Sequence, residues 1–335
     1  MPTPPSRRQI LHRAAATAAL ARLGIGCTPK TPDTGLEGLE DISPITPNDE
    51  FYVVQYSSSL RPTEDWVNTW TLTVEGAPEG DITLTLSDLE ELEASTAEHT
   101  LECISNTRGY NAIGNAEWTG ILLSDLFAAL GLSQPSGKDY LVFTCGDGYH
   151  TAVPASDLEA GLKLVWKMNG EDLPLAHGLP LRALTPGRYG MKNPKWITGI
   201  RWAETAEEGT WEAHGWSAEA TVQLQSWFHA PDEDTVFSLE GGPIVGSAFA
   251  GSRPIAAVQV SDDDGETWQD AEITYAGPEN AWTLWRFQWV PKETGKATLK
   301  VRAIADDGGV QTDDERYDAD LDGLEGLDAR DYHVA

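Results

Sequence analysis

Short alternations of apolar and polar residues mark strands in the first half of the chain. Trp70, Leu72 and Val74 alternate with threonines, and residues 51–55 show a similar extended pattern. The apolar run 140–145 ends at a Gly-Asp-Gly turn and predicts a buried strand. Strands therefore recur through this half of the chain.

Leucine spacing predicts helices that are few and short. Residues 84–92 carry leucines at helical spacing with Ser87 as N-cap, and residues 122–130 form a second candidate helix. A third short helix is predicted over residues 157–160. Because these helices mix with strands without the regular alternation of a doubly wound sheet, residues 48–203 are predicted to form an α+β domain.

The second half of the chain has strands at regular intervals, separated by turn-forming residues. The predicted strands cover residues 255–260, 268–275, 282–289 and 297–305. This spacing predicts an immunoglobulin-like β-sandwich over residues 217–312, after a linker at 204–216 and before an acidic tail at 313–335. The three tryptophans of the 282–289 strand are interpreted as core or interface packing, with a carbohydrate-binding platform as the alternative.

The first 27 residues have the pattern of an export signal. Arg7 and Arg8 precede an Ala/Leu run too short to span a bilayer, and the order resembles a twin-arginine signal, which directs folded cargo. A disordered basic tail is the alternative. Cys27 lies in a loose lipoprotein cleavage box, and residues 28–47 would be a linker. We expect a periplasmic or otherwise extracytoplasmic protein, with lipid anchoring through Cys27 left open.

The charge balance narrows the classes of partner. Among 335 residues, 53 are acidic and 23 basic, which gives a formal charge of −30. Such a surface repels phosphate backbones and anionic headgroups, so nucleic acid is excluded as a partner and membrane contact is limited to a lipid anchor. Three cysteines make no disulfide framework, and their spacing does not fit zinc.

Cys103 is the one cysteine set among polar and turn-forming residues, within the stretch 100–120. A soft thiolate suits a sulfur-rich metal site, and metal charge keeps it deprotonated. The alternative is a buried small hydrophobic residue, which is our interpretation of Cys145 in its apolar strand. If the chain performs redox chemistry, we expect it at Cys103.

Residues 173–203 contain basic residues and no aspartate or glutamate. The cations of this segment are Arg182, Arg188, Lys192, Lys195 and Arg201, with His177 as a further donor. A concentration of cations without carboxylates is what a buried anion such as a phosphate requires. The alternative is that these cations pair with acids elsewhere on the surface.

Two motifs that suggest other functions are incomplete. The run 318–323 opens like a calcium loop, but Ala329 stands where a bidentate glutamate is needed, so a solvated tail is favoured. His99, four residues before Cys103, suggests a cysteine nucleophile with its base, but no third group orients it.

Three stretches carry a family resemblance. TLECISN with Arg108 five residues after the cysteine, GNAEWTGILLSDL, and MNGEDLPLAHGLPLRALTPGRYGMKNPKWI closely resemble the sulfite oxidase family of molybdopterin enzymes. The resemblance implies a molybdopterin-binding catalytic domain at 48–203 and a C-terminal dimerisation domain, hence a homodimer. It also implies that Cys103 is the thiolate ligand of molybdenum.

The same resemblance assigns residues to the cofactor. His177 and Arg182 resemble the pterin-contacting pair, Asn193 to Lys195 the phosphate-side segment, and residues 51–56 another pterin-lining segment. The implied cofactor-binding residues are Tyr52, Val53, Gln55, Tyr56, Cys103, Asp147, His177, Arg182, Asn193, Pro194 and Lys195.

The substrate pocket departs from the family pattern. Sulfite oxidases have an Arg-Asn-His run where this chain has Val54, Gln55 and Tyr56, and a tyrosine where it has Trp166. Arg108 is kept, and Arg253 matches a third pocket arginine of the family. Arg108, Arg253 and Trp166 are therefore the predicted substrate-side residues together with Cys103.

These expectations combine into one functional hypothesis. The chain is predicted to be an exported molybdopterin oxidoreductase that oxidises sulfite to sulfate and passes electrons to an external carrier such as a c-type cytochrome, because it has no haem-attachment motif. A reductase of S-oxides or another oxyanion is the first alternative. A lipid-tethered binding protein with a decayed cofactor site is the alternative from a different class.

Overall fold

The computed structural model describes residues 42–56, 62–106, 112–313, 321–323 and 326–335. Residues 38–335 belong to one compact unit. The predicted export signal and possible lipid-attachment cysteine lie outside the described residues, and so do residues 318–320 of the calcium-like run. In the part of the chain that is described, no helix is long and apolar enough to cross a membrane.

Strands dominate the described residues. Within the described ranges, nineteen strands accompany three α-helices: α1 (Glu64–Val67), α2 (Leu86–Glu90) and α3 (Leu123–Leu130). Four 3-10 helices complete the set: Ala155–Leu158, Leu175–His177, Gly190–Lys192 and Glu212–His214. The α+β prediction for the fold class is therefore wrong, and the chain is mainly β.

The helices end too early to make a helical layer. α2 begins after Thr85, whose side chain and that of Asp88 cap each other's backbone amides, and it lasts five residues. α3 ends at Gly131, which adopts the left-handed conformation at φ 69°. Leucine spacing predicted these helices, but their short lengths leave the sheets to form the core.

The first half of the chain forms two sheets. Its strands are β1 (Leu72–Glu75), β2 (Ile82–Leu84), β3 (Ser95–Glu102), β4 (Ile113–Leu122), β5 (Tyr140–Cys145), β6 (His150–Pro154), β7 (Lys163–Met168), β8 (Glu171–Asp172), β9 (Arg182–Leu184) and β10 (Ile197–Ala203). One sheet has the order β2-β1-β10-β5-β6, and the other has the order β3-β4-β7-β8 with β9 also paired to β7. The long β3–β4 hairpin holds the Cys103 loop at its end.

The second half also forms two sheets. Its strands are β11 (Gln225–Ala230), β12 (Val236–Phe237), β13 (Gly242–Phe249), β14 (Ile255–Ser261), β15 (Gln269–Asp270), β16 (Glu272–Ala276), β17 (Thr283–Trp289), β18 (Gly295–Ala305) and β19 (Asp328–Val334). Their orders are β11-β13-β17-β16 and β12-β19-β18-β14-β15. The Phe237 ring lies 4.9 Å from Trp289 and 5.1 Å from Tyr332, so aromatic rings from both sheets pack together.

Two sequence interpretations are settled by burial and pairing. The tryptophans of β17 are buried, which confirms core packing and excludes a carbohydrate platform there. Residues 328–334, assigned from the sequence to an acidic tail, form β19 and pair with β18 along its length. The tail assignment is corrected because Tyr332 and Val334 alternate with exposed residues and face the core.

Hydrogen bonds join the two halves through β3. The Tyr275 hydroxyl donates to Glu98 Oε2 at 2.6 Å, and the Trp282 amide donates to Thr100 Oγ1 at 2.8 Å. The indole of Trp282 donates to the carbonyl of Pro44 at 3.0 Å. The strand that leads to Cys103 is thus fixed from the C-terminal half.

Candidate active site

Cys103 begins the loop that connects β3 to β4. Its amide donates to the carbonyl of Ala112 at 2.9 Å, and its carbonyl accepts from the amide of Asn106 at 2.9 Å. The Sγ atom lies 3.2 Å from Ser105 Oγ, and the side chain is partly exposed. Both backbone polar groups of Cys103 are therefore held, and the residue as a whole is half-buried.

The electrostatic surroundings keep the thiol neutral in the protein alone. Burial raises the pKa of the Cys103 thiol, the hydrogen bond to Ser105 opposes the rise, and the Glu102 carboxyl adds to it. Burial also raises the pKa of Glu102 to about 8. A thiolate at Cys103 therefore requires a nearby positive charge, which a bound metal supplies.

Arg182, the first residue of β9, is a buried cation held by neutral groups. Nη1 donates to the carbonyl of His177 at 3.0 Å, and Nη2 donates to that of Asn193 at 3.1 Å. Nε is buried and has no hydrogen-bond partner among the described residues. Burial lowers the pKa of Arg182 to about 10, so the guanidinium stays charged at neutral pH and needs an anion.

Gly190 brings the Cys103 loop, the basic segment and residues 51–56 together. A Cβ at this position would lie 3.1 Å from the Tyr52 hydroxyl and 3.2 Å from the carbonyl oxygen of Glu102. The phenol of Tyr52 is also close enough to Arg182 to act on its charge. A larger side chain at this position would therefore crowd both groups where three predicted site segments converge.

The other residues assigned to the cofactor by resemblance lie around Arg182. His177 Nε2 is 2.9 Å from the carbonyl oxygen of Asn48, and burial lowers the pKa of His177 to about 4, so the imidazole is neutral. Asn193 accepts from the Thr185 amide through Oδ1 at 2.6 Å, and the carbonyl of its neighbour Pro194 accepts from Ala183. These contacts leave the segment 177–195 rigidly folded around the guanidinium.

Lys195 and Asp147 face each other at the edge of this group. Lys195 Nζ donates to the carbonyl of Ala176 at 2.9 Å and lies 4.5 Å from the Trp196 ring centroid. Burial raises the pKa of Asp147, while the Tyr149 amide and the charge of Lys195 oppose the rise. The turn after β5 thus lies close enough to the basic segment for the charge of Lys195 to act on Asp147.

Three cations of the acid-free segment pair with carboxylates elsewhere. Arg188 makes two hydrogen bonds to Asp157, Lys192 pairs with buried Glu212, and Arg201 pairs with exposed Glu207. For these three cations the alternative interpretation, pairing with acidic residues elsewhere in the chain, is therefore confirmed. No carboxylate pairs with Arg182 in the described ranges, so the anion hypothesis now depends on Arg182.

Residues 53–56 present an apolar and aromatic surface. Val53, Val54 and Tyr56 are exposed, at 45%, 38% and 44%. The Tyr56 ring packs at 6.0 Å against Trp211, and Gln55 Oε1 is buried with no hydrogen-bond partner among the described residues. An exposed apolar surface with an orphaned acceptor fits a large heterocycle that carries amide-like donors.

The substrate-side predictions have different outcomes. Arg108 lies outside the described residues. Trp166 is 4% exposed and packs in the hydrophobic core with Leu164 and Leu181, so the structure does not place it in an open pocket. Arg253 Nη1 makes a long 3.5 Å contact with Asp307 and remains 40% exposed, in a loop that packs on Gly187.

Sequence reasoning missed Glu212, Asn106 and Tyr189. Glu212 was assigned to a linker, yet it is the partner of Lys192. The Tyr189 hydroxyl accepts from the Gln223 amide and Gln225 Nε2, both at 3.1 Å, next to Gly190. The one sequence signal for Asn106 and Tyr189 is that both lie inside the family motifs. Their hydrogen-bond partners are backbone amides and common polar side chains, which a sequence pattern does not reveal.

The donor set indicates how a metal would be held. In the described residues no group of three or more His, Cys, Asp or Glu side chains is placed to hold a metal ion. A single cysteine sulfur, together with a buried guanidinium that has no carboxylate partner among the described residues, fits a metal that arrives on an anionic organic cofactor, not one held by protein ligands alone. The residues present therefore fit molybdopterin.

Comparisons with known proteins agree with this geometry. Residues 59–211 match the family model "Oxidoreductase molybdopterin binding domain". Mitochondrial sulfite oxidase of Rattus norvegicus is 28% identical over 322 residues, which cover 80% of this chain and 57% of the relative. The NADPH nitrate reductase of Mycosarcoma maydis is 26% identical and matches 73% of this chain and 32% of its own length. The chain thus spans little more than half the length of its sulfite oxidase relatives.

A solved structure shares the fold. The sulfane dehydrogenase SoxCD from Paracoccus pantotrophus superposes with a TM-score of 0.76 at 21% identity, over 93% of this chain and 89% of that chain. At 21% identity this similarity shows a shared fold, that is, the same arrangement of sheets over 93% of this chain.

Proposed function

Because the chain belongs to the sulfite oxidase family of molybdopterin-dependent oxidoreductases, we propose that it oxidises a small sulfur oxyanion by oxygen-atom transfer, with sulfite as substrate. The cofactor is molybdopterin carrying molybdenum. In the proposed reaction sulfite and water give sulfate, two protons and two electrons. The electrons leave to a separate one-electron carrier, for which we propose a c-type cytochrome.

The observation that carries the proposal is the charged, buried Arg182, which is connected to the Cys103 loop through Tyr52 and Gly190. Arg182, Lys195 and the Asn193 segment would hold the anionic side of the cofactor, and Cys103 would ligate the metal through its thiolate. When bound, the cofactor supplies a two-electron centre for oxygen-atom transfer. The protein itself binds and orients, since its buried imidazoles are neutral at physiological pH.

The substrate anion would be held by arginines. Arg253 is anchored in a loop packed on Gly187, and its weak contact with Asp307 leaves the guanidinium accessible. Arg108 would supply the second guanidinium from the Cys103 loop. Two charge-assisted donors favour a doubly charged oxyanion over a neutral substrate.

A reductase of an S-oxide or another oxyanion is the second candidate. Exposed Val54 occupies a position where sulfite oxidases have an arginine, and this favours a substrate with less charge. Trp166, the other departure from the family pattern, does not support this candidate, because it is buried in the core. Sulfite-dependent reduction of a cytochrome and S-oxide-dependent oxidation of a reduced dye distinguish the two; activity in the second assay alone would reject sulfite oxidation.

Metal and pterin analysis of the full chain, expressed in a host that makes the cofactor, tests the assignment of Cys103. We expect one molybdenum per chain in the parent and its loss in Cys103→Ser. Cys145→Ala is the matched control, because Cys145 is buried in β5 and should leave metal content unchanged. A parent without molybdenum would instead support a binding protein with a decayed site.

Export, lipid attachment and homodimer formation also belong to the proposal. The twin-arginine pattern at Arg7 and Arg8 and the cleavage box at Cys27 support an extracytoplasmic location. Cell fractionation compared with an Arg7→Lys, Arg8→Lys double variant tests export, and light scattering of the purified protein tests the dimer. Cytoplasmic retention of only the double variant is the expected result.

A further inference from the structure

Asn106 uses both ends of its side-chain amide inside the Cys103 loop. Oδ1 accepts from the Ala112 amide at 2.9 Å, and Nδ2 donates to Glu102 Oε1 at 3.2 Å. Because only the oxygen can accept from a backbone amide, these contacts fix the orientation of the group. The residue is 2% exposed, so water does not replace these bonds.

The loop closes through the same residues that hold Cys103. The β3–β4 ladder ends at the Glu102–Ile113 pair, and the next closure is the bond from the Cys103 amide to Ala112. Asn106 then ties its own amide to the Cys103 carbonyl and its side chain to Ala112. Cys103 therefore lies in a ring of hydrogen bonds that Asn106 completes.

Glu102 anchors this ring from below. The residue is 1% exposed. Oε1 accepts the hydrogen bond from Asn106, and Oε2 has no hydrogen-bond partner among the described residues. The carbonyl oxygen of Glu102 lies beside Gly190, where the basic segment meets the loop. The Glu102–Asn106 contact thus connects the Cys103 loop to the convergence point of the site.

We propose that Asn106 is the positioning residue for Cys103: it sets the direction of the thiol by closing the loop, with Glu102 as its buried anchor. The inference rests on the proposed role of Cys103 as metal ligand, but the geometry it describes exists in the protein without cofactor. It predicts that removal of the amide frees the thiol before it alters the rest of the fold.

The test compares two equally buried asparagines of one hairpin. Asn106→Ala is matched with Asn115→Ala, since Asn115 lies on β4, is fully buried and bonds to Thr100 and Glu98, away from the loop. Cofactor-free protein is treated with iodoacetamide, and peptide mass spectrometry separates Cys103 from Cys27 and Cys145. We expect the alkylation rate of Cys103 to rise about tenfold in Asn106→Ala and to stay near the parent value in Asn115→Ala.

A merely structural role would give a different result. Equal rates in both variants, or an unchanged rate in Asn106→Ala, would overturn the proposal. If Asn106→Ala does not fold, Asn106→Asp replaces it: this variant keeps an acceptor for Ala112 and loses the donor to Glu102. Hydrogen exchange at the Ala112 amide then reports the opening of the loop, and parent-like exchange together with a parent-like alkylation rate would reject the proposal.

Metal-loaded protein supplies a second readout. We expect Asn106→Ala to lower molybdenum content and to change the electron paramagnetic resonance signal of reduced protein, while Glu102→Gln, which keeps the acceptor, stays close to the parent. A parent without molybdenum contradicts the proposed function but leaves the alkylation result valid. The two hypotheses can therefore fail separately.

Discussion

The guanidinium of Arg182 lies over the indole of Trp118, with Cζ 5.1 Å from the ring centroid. The Trp118 ring is itself fixed, since Nε1 donates to the carbonyl of His99 at 2.9 Å. A buried cation over a rigid aromatic face is kept in one position and keeps its charge. Because Arg182 is buried, its electrostatic attraction to an anion is weakly screened by water, and the position of its guanidinium determines where the anion binds.

Replacing Arg182 should remove the cofactor. Arg182→Gln deletes the charge and Arg182→Lys loses the planar donor set, so we expect both to lower molybdenum content, by about tenfold or more for glutamine. Arg201→Gln is the control, because Arg201 pairs with exposed Glu207. Metal analysis of folded protein measures the effect, and parent-like content in Arg182→Gln would exclude Arg182 from cofactor binding.

The buried pair Lys192–Glu212 should be sensitive to the loss of one partner. Glu212→Gln leaves the Lys192 ammonium buried with neutral acceptors only and no negative charge, and we expect the free energy of unfolding to fall by about 3 kcal/mol. The exposed pair of Lys138 with Glu204 offers a comparison, and Glu204→Gln should cost less than about 1 kcal/mol. Urea titration measures both values, and equal losses would contradict the burial argument.

Acid should destabilise the protein through its buried imidazoles. Burial lowers the pKa of His229 to about 4 and that of His99 to about 3, from an unfolded value near 6.5. Between pH 6.5 and pH 4 the unfolded chain binds a proton at His229 and the folded chain does not. The free energy of unfolding is therefore fully retained above pH 6.5 and decreases as the pH falls toward 4. For His229 the loss approaches about 3 kcal/mol.

His229→Gln should therefore reduce the difference in unfolding free energy between pH 7 and pH 4.5. The nearby charge of Arg330 contributes to the low pKa of His229, so the imidazole has two reasons to stay neutral. His333→Gln, at an exposed position of β19, is the matched control. An unchanged pH difference in His229→Gln would show that other groups cause the acid sensitivity.

The contact between Tyr275 and Glu98 should contribute to the stability of both halves. Burial raises the pKa of Tyr275, and its bond to Glu98 raises it further, so the hydroxyl remains a donor to a carboxylate. Tyr275→Phe should lower the unfolding free energy by about 2 kcal/mol. Tyr140→Phe is the control, since the Tyr140 hydroxyl has no hydrogen-bond partner in the described ranges. Equal effects on urea unfolding would reject the contribution.

The contacts around Arg182 in the predicted cofactor segment are local along the chain. His177, Arg182 and Asn193 lie within seventeen consecutive residues, and the turn and 3-10 geometry between them brings their groups together. The partners of Arg188 and Lys192 lie 31 and 20 residues away, so composition alone could not assign them. A segment without acids is therefore not a segment without acidic partners.

The fold class failed for a related physical reason. Apolar periodicity predicted that α2 and α3 exist, but the N-cap of α2 is Thr85 and not the predicted Ser87, which lies inside the helix. Helix length depends on caps and on the space between sheets, and both helices are short. β19 was missed because its acidic neighbours dominate the composition of the last residues, although its alternate side chains enter the core. Both errors have the same cause: strand pairing between residues far apart in the sequence determines the fold, and a local sequence pattern does not show which strands pair.

Tyr189 and Lys192, in the catalytic half, have hydrogen-bond partners that lie beyond the last strand of that half. A fragment ending at Trp211 would retain Cys103 and Arg182, yet it would lack Glu212 for Lys192 and Gln223 and Gln225 for Tyr189. In evolutionary terms the two halves are not independent modules, because an exchange of the C-terminal half with that of a relative would succeed only if it preserved the side chains of Glu212 and Gln225 and the backbone position of Gln223.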